Sequence, residues 1–344
     1  MESYLQKTAL VTGAAGFIGY HVSKRLLEEG WRVVGLDCMS NYYDVSLKEQ
    51  RESMLMQNAS FRSIHEKIET PNILMNLFEE ERPDVVVHLA AQAGVRYSIK
   101  NPRAYLESNI NGTFELLEAA RVYPPKHMLL ASTSSAYGAN EELPYKETVR
   151  ADHQVSFYAA TKKSTENIAH SYSHLFSLPI TMFRFFTVYG PWGRPDMAPF
   201  KFTRAVLSGE MIEVYNYGDM KRDFTYVGDL IEAIRRLIDA VPKRPKHGVI
   251  SIGDSLSPVA PWRVVNIGNS DAVKLIDFIE AIEEATGLKA NCNLVSMQAG
   301  DVPATWADVT LLKSLTGYQP KTNVREGIQA FVTWYRDFYG NCDR

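Results

Sequence analysis

The chain has 344 residues, of which 45% are hydrophobic and 22% are charged, and its formal net charge at pH 7 is −3. This length exceeds one comfortable hydrophobic core, so we expect two domains. The composition excludes long disordered tracts, the slight negative charge excludes a basic field for nucleic acid, and no apolar run reaches the ~20 residues of a membrane helix.

The start of the chain and its cysteines predict a reducing compartment. Residues 1–7 precede the first strand-like run and are too few for a signal peptide, so we expect a cytoplasmic protein. Cys38, Cys292 and Cys342 are widely scattered and form no Cys-x-x-Cys or Cys/His cluster. This pattern favours reduced thiols and no metal site.

Through the first half of the chain, short apolar runs alternate with amphipathic segments of helical period. The strand-like runs are TALVTG, WRVVGLD, DVVVHLAA, HMLLAS and ITMFRFF, which begin at residues 8, 31, 84, 127 and 180. The helical segments between them cover 17–30, 46–57, 73–81, 102–122 and 158–176. This alternation predicts an α/β fold with a Rossmann-type, doubly wound parallel sheet covered by helices on both faces.

After Thr187 the alternation loosens. Helical segments recur at 201–209, 228–241, 273–287 and 324–340, but the strand-like runs are short and separated by long loops. We therefore predict a first, Rossmann-type domain at 1–187 and a smaller, mixed α/β domain at 188–344. A segment around 224–265 is expected to pack back on the first domain.

A glycine turn, LVTGAAGFIG, follows the first strand-like run directly. Gly13, Gly16 and Gly19 stand where the strand turns into a helix, and glycine there lets the backbone approach a pyrophosphate at the helix N-terminus. Asp37 ends the second run, eighteen residues beyond Gly19, where a carboxylate accepts the ribose hydroxyls of an adenosine. Cys38 and the methionine after it offer no arginine for a 2′-phosphate, which favours NAD over NADP.

Three side chains point to hydroxyl chemistry. Tyr158 and Lys162 lie four residues apart on a predicted helix and therefore share a face. A tyrosine acting as a base near neutrality needs its pKa lowered by about three units from ~10, which a neighbouring ammonium and a cationic nicotinamide could supply. Thr133 follows HMLLAS at the carboxyl edge of the sheet, and Thr133 with Tyr158 could grip a substrate alcohol.

These motifs, with HLAAQAGVRYS, NINGT, RDFTYVGD and GDVPATWAD, resemble the extended short-chain dehydrogenase/reductases, and within them the nucleotide-sugar 4-epimerases, over nearly the whole chain. The resemblance implies NAD as cofactor, a UDP-sugar as substrate, and Thr133, Tyr158 and Lys162 as catalytic residues. Besides the glycines and Asp37, the residues expected to bind NAD are Phe17, Ile18, Asn41, Leu89, Ala90, Ala91, Asn109, Tyr158, Lys162 and Phe185.

The same resemblance places substrate residues in both domains. They are Thr133, Ser134, Ser135, Thr187, Arg194, Val214, Asn216, Arg222, Gln298 and Asp301. Arg222 is expected at the nucleotide diphosphate and Asp301 at the uridine ribose. Two positions depart from the family pattern: Gln298 replaces a phosphate-binding arginine of UDP-galactose epimerases, and Lys67 stands where an acid usually meets the adenine amine.

The segment RFFTVYGPWGRPDMAP, residues 184–199, resembles the UDP-glucuronate 4-epimerases. A planar guanidinium binds a carboxylate through two parallel hydrogen bonds, so Arg194 is our candidate for the uronate carboxylate, with Thr187, Ser134 and Ser135 completing a clamp. In the implied reaction Tyr158 takes the proton of the 4-hydroxyl while NAD takes the hydride. The clamp then protects the 4-keto acid from losing carbon dioxide.

Two other functions stay open. One is a UDP-glucuronate decarboxylase that makes UDP-xylose, and the other, from a different class, is a catalytically silent NAD-binding regulator. A 4,6-dehydratase is disfavoured because Ser134 and Ser135 stand where those enzymes carry Asp and Glu. Family members pair through helices that here span about 102–122 and 157–176, so the resemblance also implies a homodimer.

Overall fold

The computed structural model describes residues 6–297 and 302–340. Its strands in this part of the chain are β1 (Thr8–Thr12), β2 (Arg32–Asp37), β3 (Phe61–His65), β4 (Val85–His88), β5 (His127–Thr133), β6 (Ile180–Phe185), β7 (Thr187–Tyr189), β8 (Met211–Val214), β9 (Lys221–Tyr226), β10 (Trp262–Ile267), β11 (Ala272–Lys274), β12 (Asn291–Leu294) and β13 (Ala304–Thr305).

The helices of the same part of the chain are α1 (Phe17–Glu28), α2 (Val45–Met56), α3 (Ile73–Glu81), α4 (Val95–Lys100), α5 (Pro102–Tyr105), α6 (Gly112–Val122), α7 (Phe157–Phe176), α8 (Ala198–Ser208), α9 (Val227–Asp239), α10 (Leu275–Thr286), α11 (Thr310–Thr316) and α12 (Val324–Tyr339). A π-helical segment, Leu106–Asn111, joins α5 to α6, so the helix expected at 102–122 is interrupted. Among the described residues, no helix combines the length and the apolar character that a membrane crossing requires.

Seven parallel strands of the described chain form the central sheet, in the order β10-β6-β5-β4-β1-β2-β3. Every residue of β4 and β5 is buried, which is why these two sequences show continuous apolar runs instead of alternation. The predicted doubly wound parallel sheet is therefore confirmed. The pattern did not mark β3 because FRSIH has few apolar residues and lies at the half-buried edge of the sheet.

Helices cover both faces of the central sheet. Apolar residues of α1 and α9 pack in one core cluster, and those of α3 and α6 pack in a second cluster on the other face. Strand β10 pairs with β6, and helix α9 packs against α1. Two elements from the second half of the chain are therefore part of the central sheet and its helical cover. The division at 187 remains a proposal for the domain boundary.

The second half builds a smaller mixed assembly beside the carboxyl edge of the central sheet. β9 pairs antiparallel with β11 and parallel with β7 and β13, while β8 pairs with β12. Helices α8, α10 and α12 enclose a third apolar cluster around Phe224 and Phe278, whose rings stack at 3.9 Å between centroids. This assembly carries the loop of the predicted carboxylate clamp.

Candidate active site

A cleft of about 430 Å³ lies at the carboxyl edge of the central sheet. The strand order reverses at β1, which lies between β2 and β4, and ligands of open α/β sheets bind at such a point. The predicted site residues that line the cleft are Gly13, Gly16, Phe17, Ile18, Gly19, Asp37, Leu89, Ala90, Ala91, Thr133, Ser134, Ser135, Tyr158, Lys162, Phe185, Thr187 and Arg194.

The glycine turn is packed so closely that side chains would not fit. Gly13 has a φ of +73°, and a Cβ there would lie 2.9 Å from the backbone nitrogen of Ala90. A Cβ on Gly19 would overlap the carbonyl oxygen of Gly13. Helix α1 begins directly after Gly16 and no described side chain caps it, so its first-turn amides are available to an anion.

Asp37 is held in place by three donors. Its carboxylate accepts hydrogen bonds from the backbone nitrogens of Ala15 at 3.2 Å and Met39 at 2.9 Å. The buried ammonium of Lys48 lies 3.3 Å from Oδ1 of Asp37. Sequence reasoning missed Lys48; the available signal was a charged residue on the buried face of α2, beside Leu47.

A second buried cation on α2 links the glycine turn to the loop after β7. Arg51 donates to the carbonyl oxygen of Ala15 at 3.0 Å and to that of Trp192 at 2.7 Å. His21 bonds the carbonyl of Pro191 at 2.9 Å, and burial lowers its pKa to about 4, so it is neutral at pH 7. The loop that carries the predicted clamp is thus fastened to the cofactor side of the cleft.

The predicted catalytic residues converge on the cleft. Thr133 hydrogen-bonds the hydroxyl of Tyr158, and Thr133 Oγ1 accepts from the backbone nitrogen of Ser135 at 3.1 Å. Burial lowers the pKa of Lys162 to about 8, although the charge of Glu166 opposes this shift. All three side chains line the cleft, as the i, i+4 spacing and the strand end predicted, and two of them, Thr133 and Tyr158, are in contact.

The side chains around Tyr158 do not by themselves lower its pKa. Burial raises it above the ordinary value of 10.0, and the influences that oppose burial are the hydrogen bond from Thr133 and the charge of Arg194, rather than Lys162. The fall in pKa was expected from an ammonium together with a cationic nicotinamide, and it stays a prediction for the enzyme with its cofactor bound. The base form of Tyr158 requires further positive charge next to it.

A buried ion pair lies beneath the catalytic helix. Glu166 follows Tyr158 and Lys162 on the same face of α7, and Arg184 donates to both of its oxygens at 2.8 and 2.7 Å. Ser132 donates to Glu166 at 2.6 Å. Burial favours the neutral acid, but Arg184 outweighs burial and lowers the pKa of Glu166 to about 2. Sequence reasoning missed this pair, whose signal was an arginine in an apolar strand.

Arg194 is already engaged with a carboxylate of the protein. Its Nε and Nη2 donate to the two oxygens of Asp196 at 3.0 and 2.6 Å. The guanidinium lies 5.8 Å from the ring centre of Tyr42, which also lines the cleft. Thr187, Ser134 and Ser135 face the same cleft, so the four predicted clamp residues are brought together.

Other predicted residues lie outside the cleft lining. Asn109 is buried behind the wall, where it exchanges hydrogen bonds with the backbone of Gln92. Val214 is fully buried in the core of the second half. Asn216 donates to the carbonyl of Asp219, Arg222 donates to the carbonyls of Lys221 and Pro303, and Asn41 is exposed. Gln298 and Asp301 lie outside the described residues.

Acidic side chains line the cleft near Lys67. Glu66, Ile68 and Glu69 contribute to the wall, and they flank the position where the sequence showed a lysine instead of an acid. Acids therefore line the cleft one residue before and two residues after Lys67. Among the described residues, no cluster of His, Cys, Asp and Glu could hold a metal ion.

Comparison with known proteins identifies relatives over nearly the full length. A sequence model of the family described as GDP-mannose 4,6 dehydratase matches residues 10–331. The probable UDP-glucuronate 4-epimerase of Rhizobium meliloti (strain 1021) is 51% identical over 332 residues, which cover 96% of this chain and 97% of that protein. UDP-glucuronate 4-epimerase 1 of Arabidopsis thaliana is 43% identical, covering 97% of this chain and 77% of that protein.

A solved structure shows the same fold with ligands bound. The UDP-glucuronic acid 4-epimerase of Bacillus cereus, in complex with UDP-glucuronic acid and NAD, superposes with a TM-score of 0.85 at 32% identity. The match covers 96% of this chain and all of that one (100%).

Proposed function

The chain belongs to the GDP-mannose 4,6 dehydratase family of extended short-chain dehydrogenase/reductases, and we propose that it is an NAD-dependent UDP-glucuronate 4-epimerase. It inverts C4 of UDP-glucuronate through a transient 4-keto sugar to give UDP-galacturonate. The observation that carries the proposal is that the glycine turn, the Thr133–Tyr158–Lys162 group and the predicted carboxylate clamp line one cleft.

The cofactor side fits a dinucleotide. The space beside Gly13 and Gly19 admits no side chain, and the uncapped first turn of α1 offers amides to a diphosphate. Asp37 offers carboxylate oxygens to the adenosine ribose, with Lys48 beside it. NAD held by these residues would supply reversible hydride transfer at C4 of the sugar.

Tyr158 moves the proton of the reaction. Its hydroxyl, held by Thr133, accepts the proton of the sugar 4-hydroxyl and later returns it on inversion. Because burial raises the pKa of Tyr158, the phenolate needs positive charge beside it, which a bound nicotinamide would supply. Lys162 supplies a buried amine one helical turn away.

The clamp separates this enzyme from a decarboxylase. A 4-keto uronic acid is a β-keto acid, which loses carbon dioxide when the bond to its carboxylate lies parallel to the π orbital of the ketone. Holding the carboxylate in the carbonyl plane prevents that alignment. Thr187, Ser134, Ser135 and Arg194 are the residues proposed to hold it, since all four line the cleft beside Tyr158.

One incubation tests the proposal. Purified protein is mixed with UDP-glucuronate without added NAD, and the nucleotide products are separated by chromatography. We expect UDP-galacturonate, because the cofactor ends each cycle oxidised and stays bound. UDP-xylose as the main product would indicate the decarboxylase, and an unchanged substrate that stays unchanged when NAD is supplied would indicate the non-catalytic regulator.

We further propose a homodimer in the cytoplasm. Apolar side chains on the predicted pairing helices are exposed, among them Phe114 and Val122 on α6. Leu175 on α7 has an exposed fraction of 68%. Cys38 and Cys292 are free thiols, which supports a reducing compartment. Light scattering should give twice the monomer mass, and Leu175→Glu should return the protein to the monomer mass.

A further inference from the structure

We propose that Asp196 is a positioning residue that takes the place of the substrate carboxylate on Arg194 in the free enzyme: its carboxylate holds the fork of Arg194 and is exchanged for the carboxylate of a uronate substrate. The inference rests on the proposed function. A uronate that binds Arg194 through Nε and Nη2 competes with Asp196 for the same two donors. A neutral sugar brings no group of that kind.

The contact has the geometry of a ligand pair. Two parallel hydrogen bonds of 3.0 and 2.6 Å join the planar guanidinium to both oxygens of Asp196. This is the arrangement by which arginine binds a free carboxylate. Both side chains are partly exposed, at 21% and 24%, and Arg194 itself lines the cleft.

Charge decides which sugars can make the exchange. Paired with Asp196, the guanidinium is neutralised, and hydrogen bonds between charged partners are about twice as strong as those of neutral groups. A 6-hydroxyl therefore does not displace Asp196, whereas a substrate carboxylate replaces it with an equivalent partner. Only a uronate therefore takes the place of Asp196 on Arg194, and a neutral hexose leaves the pair intact.

Tyr42 provides Asp196 with a second partner. The Tyr42 hydroxyl hydrogen-bonds Asp196, and burial together with the charge of Asp196 raises the pKa of Tyr42 to about 12, so it is a protonated donor at pH 7. Its ring packs against Tyr97 at 4.9 Å between centroids. When Arg194 turns to substrate, Asp196 keeps a donor and is not left unpaired.

Equilibrium binding tests the exchange without turnover. UDP-glucuronate and UDP-glucose are titrated calorimetrically into NAD-loaded Tyr158→Phe protein, with and without Asp196→Asn. We expect Asp196→Asn to lower the Kd of UDP-glucuronate by about five- to tenfold, since the competitor is lost, and to change that of UDP-glucose by less than about twofold. Asp271→Asn, an exposed aspartate outside the cleft lining, should change neither.

A double-mutant cycle isolates the mechanism. In an Arg194→Met background, Asp196→Asn should no longer affect the Kd of UDP-glucuronate, because the guanidinium for which Asp196 and the substrate compete is absent. An unchanged or higher Kd in Asp196→Asn alone would overturn the proposal, since Asp196 would then be a bystander or would orient Arg194 to bind through its other edge. If the unmodified enzyme makes no UDP-galacturonate, the proposed function fails and this inference fails with it.

Discussion

The cofactor side of the cleft is formed mainly by backbone atoms, whereas the substrate side is formed by side chains on loops. On the cofactor side, Gly13 lies so close to the backbone nitrogen of Ala90 that a Cβ would not fit, and main-chain amides hold Asp37. The substrate side is side chains on loops, where Arg194 pairs with a neighbour two residues away. The first surface is held by main-chain contacts, while the second carries a guanidinium that we propose can change partners.

The largest effect is expected at the junction of the two sides. Tyr158→Phe removes the proton carrier and should lower kcat by about 10³- to 10⁴-fold, measured as UDP-galacturonate formed. Tyr172→Phe, on the same helix but bonded to Glu118, should retain near-normal kcat. A Tyr158→Phe enzyme within tenfold of the unmodified rate would show that another group moves the proton.

A large loss of stability is expected when the buried ion pair between α7 and β6 is broken. Glu166→Gln breaks a fully buried pair with Arg184 and should cost about 3–4 kcal/mol in the free energy of unfolding at pH 7. The folded pKa of about 2 lies below the ordinary 4.5, so the contribution of Glu166 is complete above pH 4.5 and is lost as the pH falls toward 2.

The difference in the free energy of unfolding between Glu166→Gln and the unmodified protein should therefore become smaller as the pH falls from 4.5 to 2. Urea denaturation at several pH values measures it. Glu28→Gln, which removes an exposed pair with Lys24, should cost less than about 0.5 kcal/mol. A pH-independent difference would mean that Glu166 acts through packing alone.

An intermediate effect is expected at the clamp. Arg194→His shortens the side chain and removes the planar fork, so the Kd of UDP-glucuronate should rise by about 30-fold, and the proportion of pentose product should increase. Chromatography of the products gives the partition. Arg204→His, on the exposed face of α8, is the matched control. Unchanged affinity together with unchanged product partition would refute the role of Arg194.

The smallest effect is expected at the diphosphate. Arg222→Met should raise KM about fivefold with little change in kcat, because Arg222 is proposed to bind substrate and transition state equally. Its neighbour Lys221, also on β9, serves as control through Lys221→Met. A fall in kcat that matches the fall in kcat/KM would instead assign Arg222 to the transition state.

The same contrast explains what could be read from the sequence. The glycine turn, Asp37 and the Tyr158–Lys162 spacing are local signals, because backbone conformation and helical period need only neighbouring residues. Lys48 and Glu166 were missed because their partners, Asp37 on β2 and Arg184 on β6, lie on other elements, and only the packed structure brings them together. A segment around 224–265 was expected to pack on the first domain, but β10 was not predicted as a strand, since only its pairing with β6 shows that it belongs to the central sheet.

Pairing of β10 with β6 has a practical consequence for anyone who wishes to separate the two halves. Six residues of β10 pair with Ile180–Phe185 along its full length, so a fragment ending at residue 187 would present that strand as a bare edge. Bare edges recruit strands from other molecules and promote aggregation. A soluble minimal dinucleotide-binding fragment must therefore carry Trp262–Ile267, supplied either through a shortened linker or as a separate peptide.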